Sequence, residues 1–365
     1  MAQKLKSDSV LTLAAMLLVA VSLVMVWSAS AAPAMARGVS SFALLLRHAG
    51  FVVVGLLLMF GMHNVDYRRL RHPLVIWGGV VLVAALLVAV LFSSPVNGAS
   101  RWFSLAGFGV QPSEFAKLVA VVFVAATIDT CWSTQRVGHG ILRVMLVVLT
   151  LSYLVFREPD LGTAATLWLI AFAVLFAAGL SWVWVAGLGV VLLLLASAAV
   201  VFEPYRLKRL LVYRHPWSDS LGTGFQLAQS LIAVGTGGVL GRGLNSGVQK
   251  LFYLPEPQSD FIYAVISEEL GLIGATLVVL LFAVFAWRGL QIAVRVPDRF
   301  GALLAIGVTA MIAVQALVNI SVVTGLMPTK GIPLPLISAG GSSMIVNLFA
   351  VGVLLSVSQH VEPER

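Results

Sequence analysis

The sequence contains only one cysteine, Cys131, and few charged residues of either sign. A single cysteine excludes an intramolecular disulfide and a cysteine-rich metal site. Charged residues make up 10% of the 365 residues, whereas soluble globular proteins carry roughly 25%. This shortage excludes an ordinary soluble enzyme, a disordered chain and a nucleic-acid binder built on a charged surface.

Sequence motifs for common cofactor and hydrolase chemistry are also missing. There is no P-loop ending in Gly-Lys-Ser/Thr, no Gly-x-Ser-x-Gly elbow, no His-Glu-x-x-His pair and no Cys/His metal pattern. Hydride transfer and ATP hydrolysis are therefore not indicated, and no metal ligands are predicted. Six scattered histidines, mostly near loops, are assigned no role: His48, His63, His72, His139, His215 and His360.

Apolar residues are abundant instead and account for 60% of the chain. This is more apolar surface than one water-soluble domain of this length can bury, so the predicted solvent is lipid. Runs of about 20 apolar residues predict an all-α polytopic membrane protein with about ten transmembrane helices, forming one integral membrane domain over residues 1–365. The predicted spans are 10–30, 42–62, 74–93, 113–130, 141–156, 161–180, 182–202, 262–287, 301–324 and 340–357.

Some of these spans have alternative interpretations. The first could be a secretory signal, but Ala32, Pro33 and Ala34 follow a run of about 20 residues, which favours a retained helix. The fifth and sixth are separated only by residues 156–160, so they could form one re-entrant unit. Two spans are favoured, because the total of ten then places the basic loops elsewhere in the chain on one side of the membrane.

Positive charges predict the orientation, because cytoplasmic loops of membrane proteins are enriched in Lys and Arg. The basic segments before span one and after spans two, four and eight fall on one side, so both termini are expected in the cytoplasm. The long loop 203–261 between spans seven and eight is then extracytoplasmic. Its six cations would bind either lipid headgroup phosphates or an anionic ligand: Arg206, Lys208, Arg209, Arg214, Arg242 and Lys250.

Two polar groups lie at the starts of spans, where charged side chains are costly. Glu114 and Lys117 are i, i+3 neighbours at the start of span four. They form either a stabilising ion pair or the polar lining of an outward cavity. Asp160 precedes span six and is either its N-cap or a ligand-binding residue.

A third group, residues 249–271, contains Asp260 at the entry to span eight and Glu268 eight residues later. On one helix these two carboxylates would share nearly the same face and point into the bundle. An aspartate in partly apolar surroundings has a raised pKa, which suits a general base. The alternatives are an N-cap for Asp260 and an ion pair with a neighbouring span for Glu268.

A fourth group, residues 324–343, contains too many Pro and Gly residues for a regular helix. Irregular backbone at membrane depth is tolerated where it is buried in protein or lines a wet cavity. Lys330, with the hydroxyl and N–H groups of Ser342 and Ser343 before an apolar helix, could bind an anion. The alternative is a structured re-entrant turn.

Taken in order, these groups resemble the SEDS family of bacterial cell-wall polymerases, named for shape, elongation, division and sporulation. Residues 248–255 and 328–331 resemble the division branch, FtsW, whereas 331–335 are more similar to the elongation branch, RodA; FtsW is favoured. Gln258 and Ala339 depart from the family, which usually has His and Tyr there. The resemblance covers most of the chain and rests on Asn97 to Trp102, Gln111 to Glu114, Pro159 to Thr163, Tyr205 to Arg209, Gly224 to Ser230, Gly235 to Gly243 and the third and fourth groups.

The resemblance implies a peptidoglycan glycosyltransferase that polymerises lipid II, a disaccharide-pentapeptide on undecaprenyl pyrophosphate, at the outer face of the bacterial cytoplasmic membrane. Asp260 matches the family's catalytic aspartate and would deprotonate the acceptor's 4-hydroxyl for an inverting transfer. The residues expected to bind substrate are Arg101, Glu114, Lys117, Asp160, Arg206, Lys208, Arg209, Gln226, Gln229, Ser230, Lys250, Glu256, Glu268, Lys330, Ser342 and Ser343.

The implied partners are a class B penicillin-binding transpeptidase and other divisome or elongasome membrane proteins, with no nucleic acid among them. No cofactor is implied with certainty. A divalent cation, Mg or Mn, could assist the departure of pyrophosphate, but no firm ligand set is found. Two other functions stay open: a lipid II flippase, and a scaffold without chemistry that recruits the transpeptidase.

Overall fold

The protein is described here by a computed structural model, which covers residues 7–30, 34–35, 38, 40–93, 100–105, 108–134, 137–201, 204–219, 222, 224–251 and 253–361. Within these ranges the chain is mostly α-helical. The helices are α1 (Ser9–Ala29), α2 (Ser41–Asn64), α3 (Pro73–Val90), α4 (Pro112–Ser133), α5 (Val137–Arg157), α6 (Leu161–Ala177), α7 (Trp182–Val201), α8 (Pro204–Arg214), α9 (Phe225–Gly237), α10 (Ile262–Arg295), α11 (Arg299–Val323) and α12 (Gly341–Ser358).

A helix occupies each of the ten predicted spans, namely α1 to α7 and α10 to α12. By length and composition, eight helices of the described ranges could cross a membrane. The other two, α6 and the Trp182–Val191 part of α7, are apolar but shorter. The all-α polytopic membrane fold is thus confirmed, while the number of spans and the side on which each loop lies stay predictions.

Side chains that precede helices satisfy the first N–H groups, which have no partner within the helix. Asp8 accepts a hydrogen bond from the Leu11 N–H at 2.9 Å. Asp160 accepts one from the Thr163 N–H at 3.0 Å. The cap at Asp160 starts α6 as a separate helix that packs against α5, while the choice between two spans and one re-entrant unit stays a prediction.

The centre of the bundle is formed by α4, α11 and α12. Helix α11 packs against α4, α6, α10 and α12, and α2 lies along α12. Most of α12 is buried, whereas only 17% of the most apolar stretch of α3 is. Exposed apolar side chains on α3, such as Leu74 and Val81, are expected where lipid replaces water around the bundle.

The segment between α7 and α10 is the longest part of the chain outside the predicted spans. It contains α8, a short 3₁₀-helix at Pro216–Asp219 and α9, which packs against α10. The loop after α9 passes close to α10 at Gly271, where the backbone of α10 is kinked with φ of 65°. A Cβ on Gly271 would overlap the Gly241 nitrogen, so only glycine fits at this position.

Two features of the backbone differ from the sequence predictions. An antiparallel hairpin, β1 (Phe103–Leu105) with β2 (Phe108–Val110), was not expected from the sequence. The prediction that Asp260 and Glu268 share one face of a helix is wrong, because α10 begins only at Ile262. Irregular backbone between α11 and α12 is confirmed.

Candidate active site

A cavity of about 1470 Å³ lies where the ends of several helices meet. Its wall comes from the end of α1, the first half of α2, the start of α6, helix α8, and the irregular segments before α10 and before α12. Eight of the residues predicted to act on substrate line it: Arg101, Asp160, Arg209, Gln226, Glu256, Asp260, Lys330 and Ser343.

Asp260 is held at the cavity wall by its backbone while its carboxylate faces the cavity. The Asn319 side-chain amide donates to the Asp260 carbonyl at 2.8 Å and to the Ile332 carbonyl at 2.6 Å. The cap residue of α10 is Phe261, and no side chain caps this helix. Capping therefore does not explain Asp260. A Cβ on Gly331 would lie 2.5 Å from Asp260 Oδ2, so the carboxylate packs directly against the glycine backbone.

The surroundings of Asp260 favour its neutral form. Burial away from water raises its pKa to about 7, and the negative charges of Glu256 and Asp160 act in the same direction. The positive charge of Arg101 opposes them. A carboxyl group with a pKa near neutrality is partly ionised at neutral pH and also has appreciable affinity for a proton. Both properties are required of a general base.

Cations face the same cavity from three different parts of the fold. Arg101 precedes the hairpin, Arg209 lies on α8, and Lys330 lies on the segment before α12. Arg101 is fixed by donating to the Glu158 carbonyl at 2.8 Å and to the Pro159 carbonyl at 2.7 Å. The side chain of Lys330 lies beside Gly162, and a Cβ added to Gly162 would be 3.3 Å from it.

Arg47 and His48 on α2 also line the cavity, and sequence reasoning missed them. His48 is buried, with its Nε2 2.7 Å from Ser22 Oγ, which donates to the Ile337 carbonyl. A usable signal was present, since an arginine inside a predicted span suggests a functional site by itself. It was overlooked because the surrounding run is so apolar.

A buried polar chain fixes the segment before α12. Lys117 donates to Glu114 at 2.8 Å and to Gln315 at 2.6 Å. The Gln315 amide then donates to the Pro333 carbonyl at 2.9 Å. Glu114 and Lys117 thus form the predicted ion pair and do not line the cavity. Their contacts hold the wall that carries Lys330.

Other predicted substrate-binding residues lie away from the cavity lining. Ser230 donates to the Val323 carbonyl, and Ser342 accepts from the Gln111 N–H. Lys208 is exposed and pairs with Asp219 at 3.6 Å. Gln229 on α9 is not part of the lining. The side chain of Arg206 lies outside the described residues.

Lys250 and Glu268 belong to a second buried polar cluster, where the loop crosses α10. Lys250 pairs with Glu269 at 2.7 Å and donates to Ser28 at 2.8 Å. Glu268 accepts from the backbone N–H of Val248 at 2.8 Å, and Arg242 lies 3.6 Å from it. The cation beside Glu268 therefore comes from the loop and not from a neighbouring span.

No group of three or more His, Cys, Asp and Glu side chains within the described ranges could hold a metal ion. The cavity instead combines one carboxylate of raised pKa with several cations and hydroxyl groups. Such a site can bind a polyanion and accept a proton next to it.

Comparison with known proteins identifies the family. The family model described as cell cycle protein, of the FtsW, RodA and SpoVE type, matches residues 8–363. Stage V sporulation protein E of Bacillus subtilis is 41% identical over 364 residues, covering 98% of each chain. The probable peptidoglycan glycosyltransferase FtsW of Trichlorobacter lovleyi is 41% identical over 357 residues, covering 96% of this chain and 93% of that protein.

A solved structure agrees with the sequence relatives. It belongs to work on structural coordination of polymerization and crosslinking by a peptidoglycan synthase complex. Its chain superposes with a TM-score of 0.79 at 31% identity, over 98% of this chain and 99% of that one. The fold and the sequence thus lead to one conclusion: this multi-pass membrane protein belongs to the SEDS family and is FtsW-like.

Proposed function

We propose that this chain is a peptidoglycan glycosyltransferase that polymerises lipid II at the outer face of the bacterial cytoplasmic membrane during division. The observation that carries the proposal is the Asp260 carboxylate. It caps no helix, has a pKa near 7, and lines one cavity together with Arg101, Arg209 and Lys330. The FtsW relatives, which are named as probable peptidoglycan glycosyltransferases, support the same activity.

In the proposed reaction Asp260 removes the proton of the 4-hydroxyl group of the acceptor N-acetylglucosamine. That oxygen attacks the anomeric carbon of the donor N-acetylmuramic acid from the face opposite the leaving group. The bond from this carbon to the pyrophosphate oxygen breaks, and its electron pair leaves with undecaprenyl pyrophosphate. The new glycosidic bond therefore has inverted configuration.

The cations of the cavity would stabilise the charge that develops on the departing pyrophosphate. Fixed positive groups in a site shielded from water stabilise such charge strongly, because they need not reorganise during the reaction. Arg101 is held in place, since its guanidinium group donates to two backbone carbonyls. Arg209 and Lys330 complete the proposed pyrophosphate site from α8 and from the segment before α12.

The position of the cavity supports action at the outer face. Its wall includes the end of α1 and the starts of α2, α6 and α12. In the orientation predicted from the basic loops, these helix ends all lie outside the cytoplasm. The basic segment 68–71 and the connection between α10 and α11 lie at the opposite helix ends.

We further propose that a class B penicillin-binding transpeptidase is the partner in the membrane. The similar solved chain was described within a peptidoglycan synthase complex that couples polymerization to crosslinking. A polymerase and a crosslinking enzyme act on the same glycan strand, so a shared complex would deliver new strands directly to the transpeptidase.

The test is polymerisation of lipid II by the purified chain together with its transpeptidase. We expect Asp260→Asn to lower the rate at least 100-fold, the usual contribution of a general base being roughly 10²–10⁴. Asp66→Asn is the matched control, because Asp66 is absent from the cavity lining. Parental rates from the Asp260→Asn variant would contradict the proposed mechanism.

The same preparations separate the proposed enzyme from the two other functions. A flippase would move lipid II across vesicle membranes without forming polymer. A scaffold would form no glycan strands in these preparations, with or without Asp260, because polymerisation would require another protein. Only the polymerase predicts that glycan strands form and that their formation depends on Asp260.

A further inference from the structure

Glu158, in the short connection between α5 and α6, is a buried carboxyl group that the proposed mechanism does not use. Its side chain is fully buried, and neither carboxylate oxygen has a hydrogen-bond partner in the described part of the chain. Burying an ionised carboxylate without a partner is very costly, so such a group takes up a proton instead. Glu158 is therefore neutral in the structure as it stands.

Glu158 lies directly behind the arginine that faces the cavity. Arg101 Nε donates to the Glu158 carbonyl at 2.8 Å, and its Nη2 donates to the Pro159 carbonyl at 2.7 Å. Two charged groups act on the Glu158 carboxyl: Arg101, from the segment before the hairpin, and Asp160, from the same connection. The Asp160 carboxylate is already engaged, since it accepts from the Thr163 N–H and hydroxyl.

We propose that Glu158 is a positioning residue that acts through Arg101, and that it must carry a proton for Arg101 to bind the pyrophosphate of the substrate. The inference rests on the function proposed above. With Glu158 neutral, the charge of Arg101 is directed into the cavity. With Glu158 ionised, its carboxylate attracts the guanidinium group and competes with the substrate for it.

The titration of Glu158 sets the pH at which this competition begins. Burial away from water raises its pKa to about 8, the charge of Asp160 acts in the same direction, and Arg101 opposes both. Near pH 7 the group is mostly protonated, whereas at about pH 9 roughly one tenth of it is. The pyrophosphate of lipid II is a diester and stays fully ionised across this range, so it does not produce the effect.

The experiment measures binding of lipid II to the full-length protein at about pH 7 and about pH 9. An Asp260→Asn background stops turnover and removes the titration of Asp260 itself. We expect the Kd of this variant to rise about tenfold between the two pH values, in proportion to the loss of protonated Glu158. Adding Glu158→Gln, which keeps the shape and the neutral state, should hold the change within about twofold.

A second neutral variant, Glu158→Met, serves if the glutamine variant does not fold. The other groups of the cavity are identical in all of these proteins, so their contribution is the same with and without Glu158. If the Kd of the Glu158→Gln and Glu158→Met proteins rises between the two pH values as much as that of the Asp260→Asn protein, the inference is overturned.

A spectroscopic measurement separates failure of the inference from failure of the proposed function. If Asp260→Asn binds no lipid II at either pH, the proposed substrate is wrong. The infrared difference spectrum between about pH 7 and about pH 9 then decides on Glu158. If the Asp260→Asn protein loses a protonated-carboxyl band between these pH values and the protein with added Glu158→Gln does not, Glu158 is neutral near pH 7 and titrates in this range. Absence of the band from the Asp260→Asn protein overturns the inference.

Discussion

Glu256 controls the basicity of Asp260 without being part of the proposed proton transfer. Its negative charge is one of the causes that raise the pKa of Asp260 to about 7. Asp260 must be ionised to act as a base, so activity should rise with pH through this pKa. Glu256→Gln removes a negative charge, which lowers the pKa of Asp260 and moves this rise to lower pH.

The expected result is roughly a two- to fivefold higher kcat/KM at about pH 6 and little change at about pH 8. The pH profile of lipid II polymerisation measures it, with Asp66→Asn as the control at the same change of charge. A Glu256→Gln profile that coincides with the parental one would show that Asp260 does not set the acid limb.

Single residues differed in how far the sequence could predict them. Asp260 and Lys330 were predicted to line a site because charge is scarce in an apolar chain, and both lie in the cavity wall. Arg47 was missed although the same argument applied to it. Lys250 was predicted to bind substrate as a cation of the long loop, in a segment that resembles the family. Its burial against Glu269 and Ser28 depends on distant segments, which composition does not reveal.

At the scale of elements, the segment before α12 has no regular structure and is shaped by close contact with Asp260. A Cβ on Gly331 would lie 2.5 Å from Asp260 Oδ2. Gly331→Ala should therefore displace the carboxylate and reduce the polymerisation rate by more than about tenfold, since small misplacements of catalytic groups are costly. Stability should change little, because the carboxylate can move into the open cavity.

The matched control is Gly50→Ala on α2, where an added Cβ meets nothing within 4 Å. Alanine in a helix interior is favoured over glycine by about 0.5–1 kcal/mol, so this variant should keep its activity and melt no earlier. If Gly331→Ala polymerises lipid II at the parental rate, the contact does not position Asp260.

Long apolar helices were predictable because length and hydrophobicity are local properties of the chain. The hairpin Phe103–Val110 was not, since each of its strands has only three residues. The start of span eight was predicted at residue 262, where α10 begins, but Asp260 was treated as part of the helix and so was placed on one face with Glu268. The backbone before Ile262 is shaped instead by bonds from Asn319 and Ser338, which are distant in sequence.

Across the whole molecule, buried polar clusters join segments that the apolar helices alone would not fix. The chain Glu114, Lys117 and Gln315 links α4 and α11 to the segment before α12. The cluster around Lys250 and Glu269 links α1, the long loop and α10. Because apolar contacts between helices in lipid are weakly specific, such polar contacts define how the cavity wall is assembled.

Lys250→Met tests this role for the second cluster. It leaves the buried Glu269 carboxylate without its cation, and breaking such a pair costs about 3–5 kcal/mol. We expect a clearly lower melting temperature in detergent, partly restored in the double variant Lys250→Met/Glu269→Gln, where no uncompensated charge stays buried. Lys208→Met is the control, because its pair with Asp219 is exposed and worth less than about 1 kcal/mol. A Lys250→Met protein of parental stability that binds lipid II more weakly would refute the structural role and support the substrate contact predicted from the sequence.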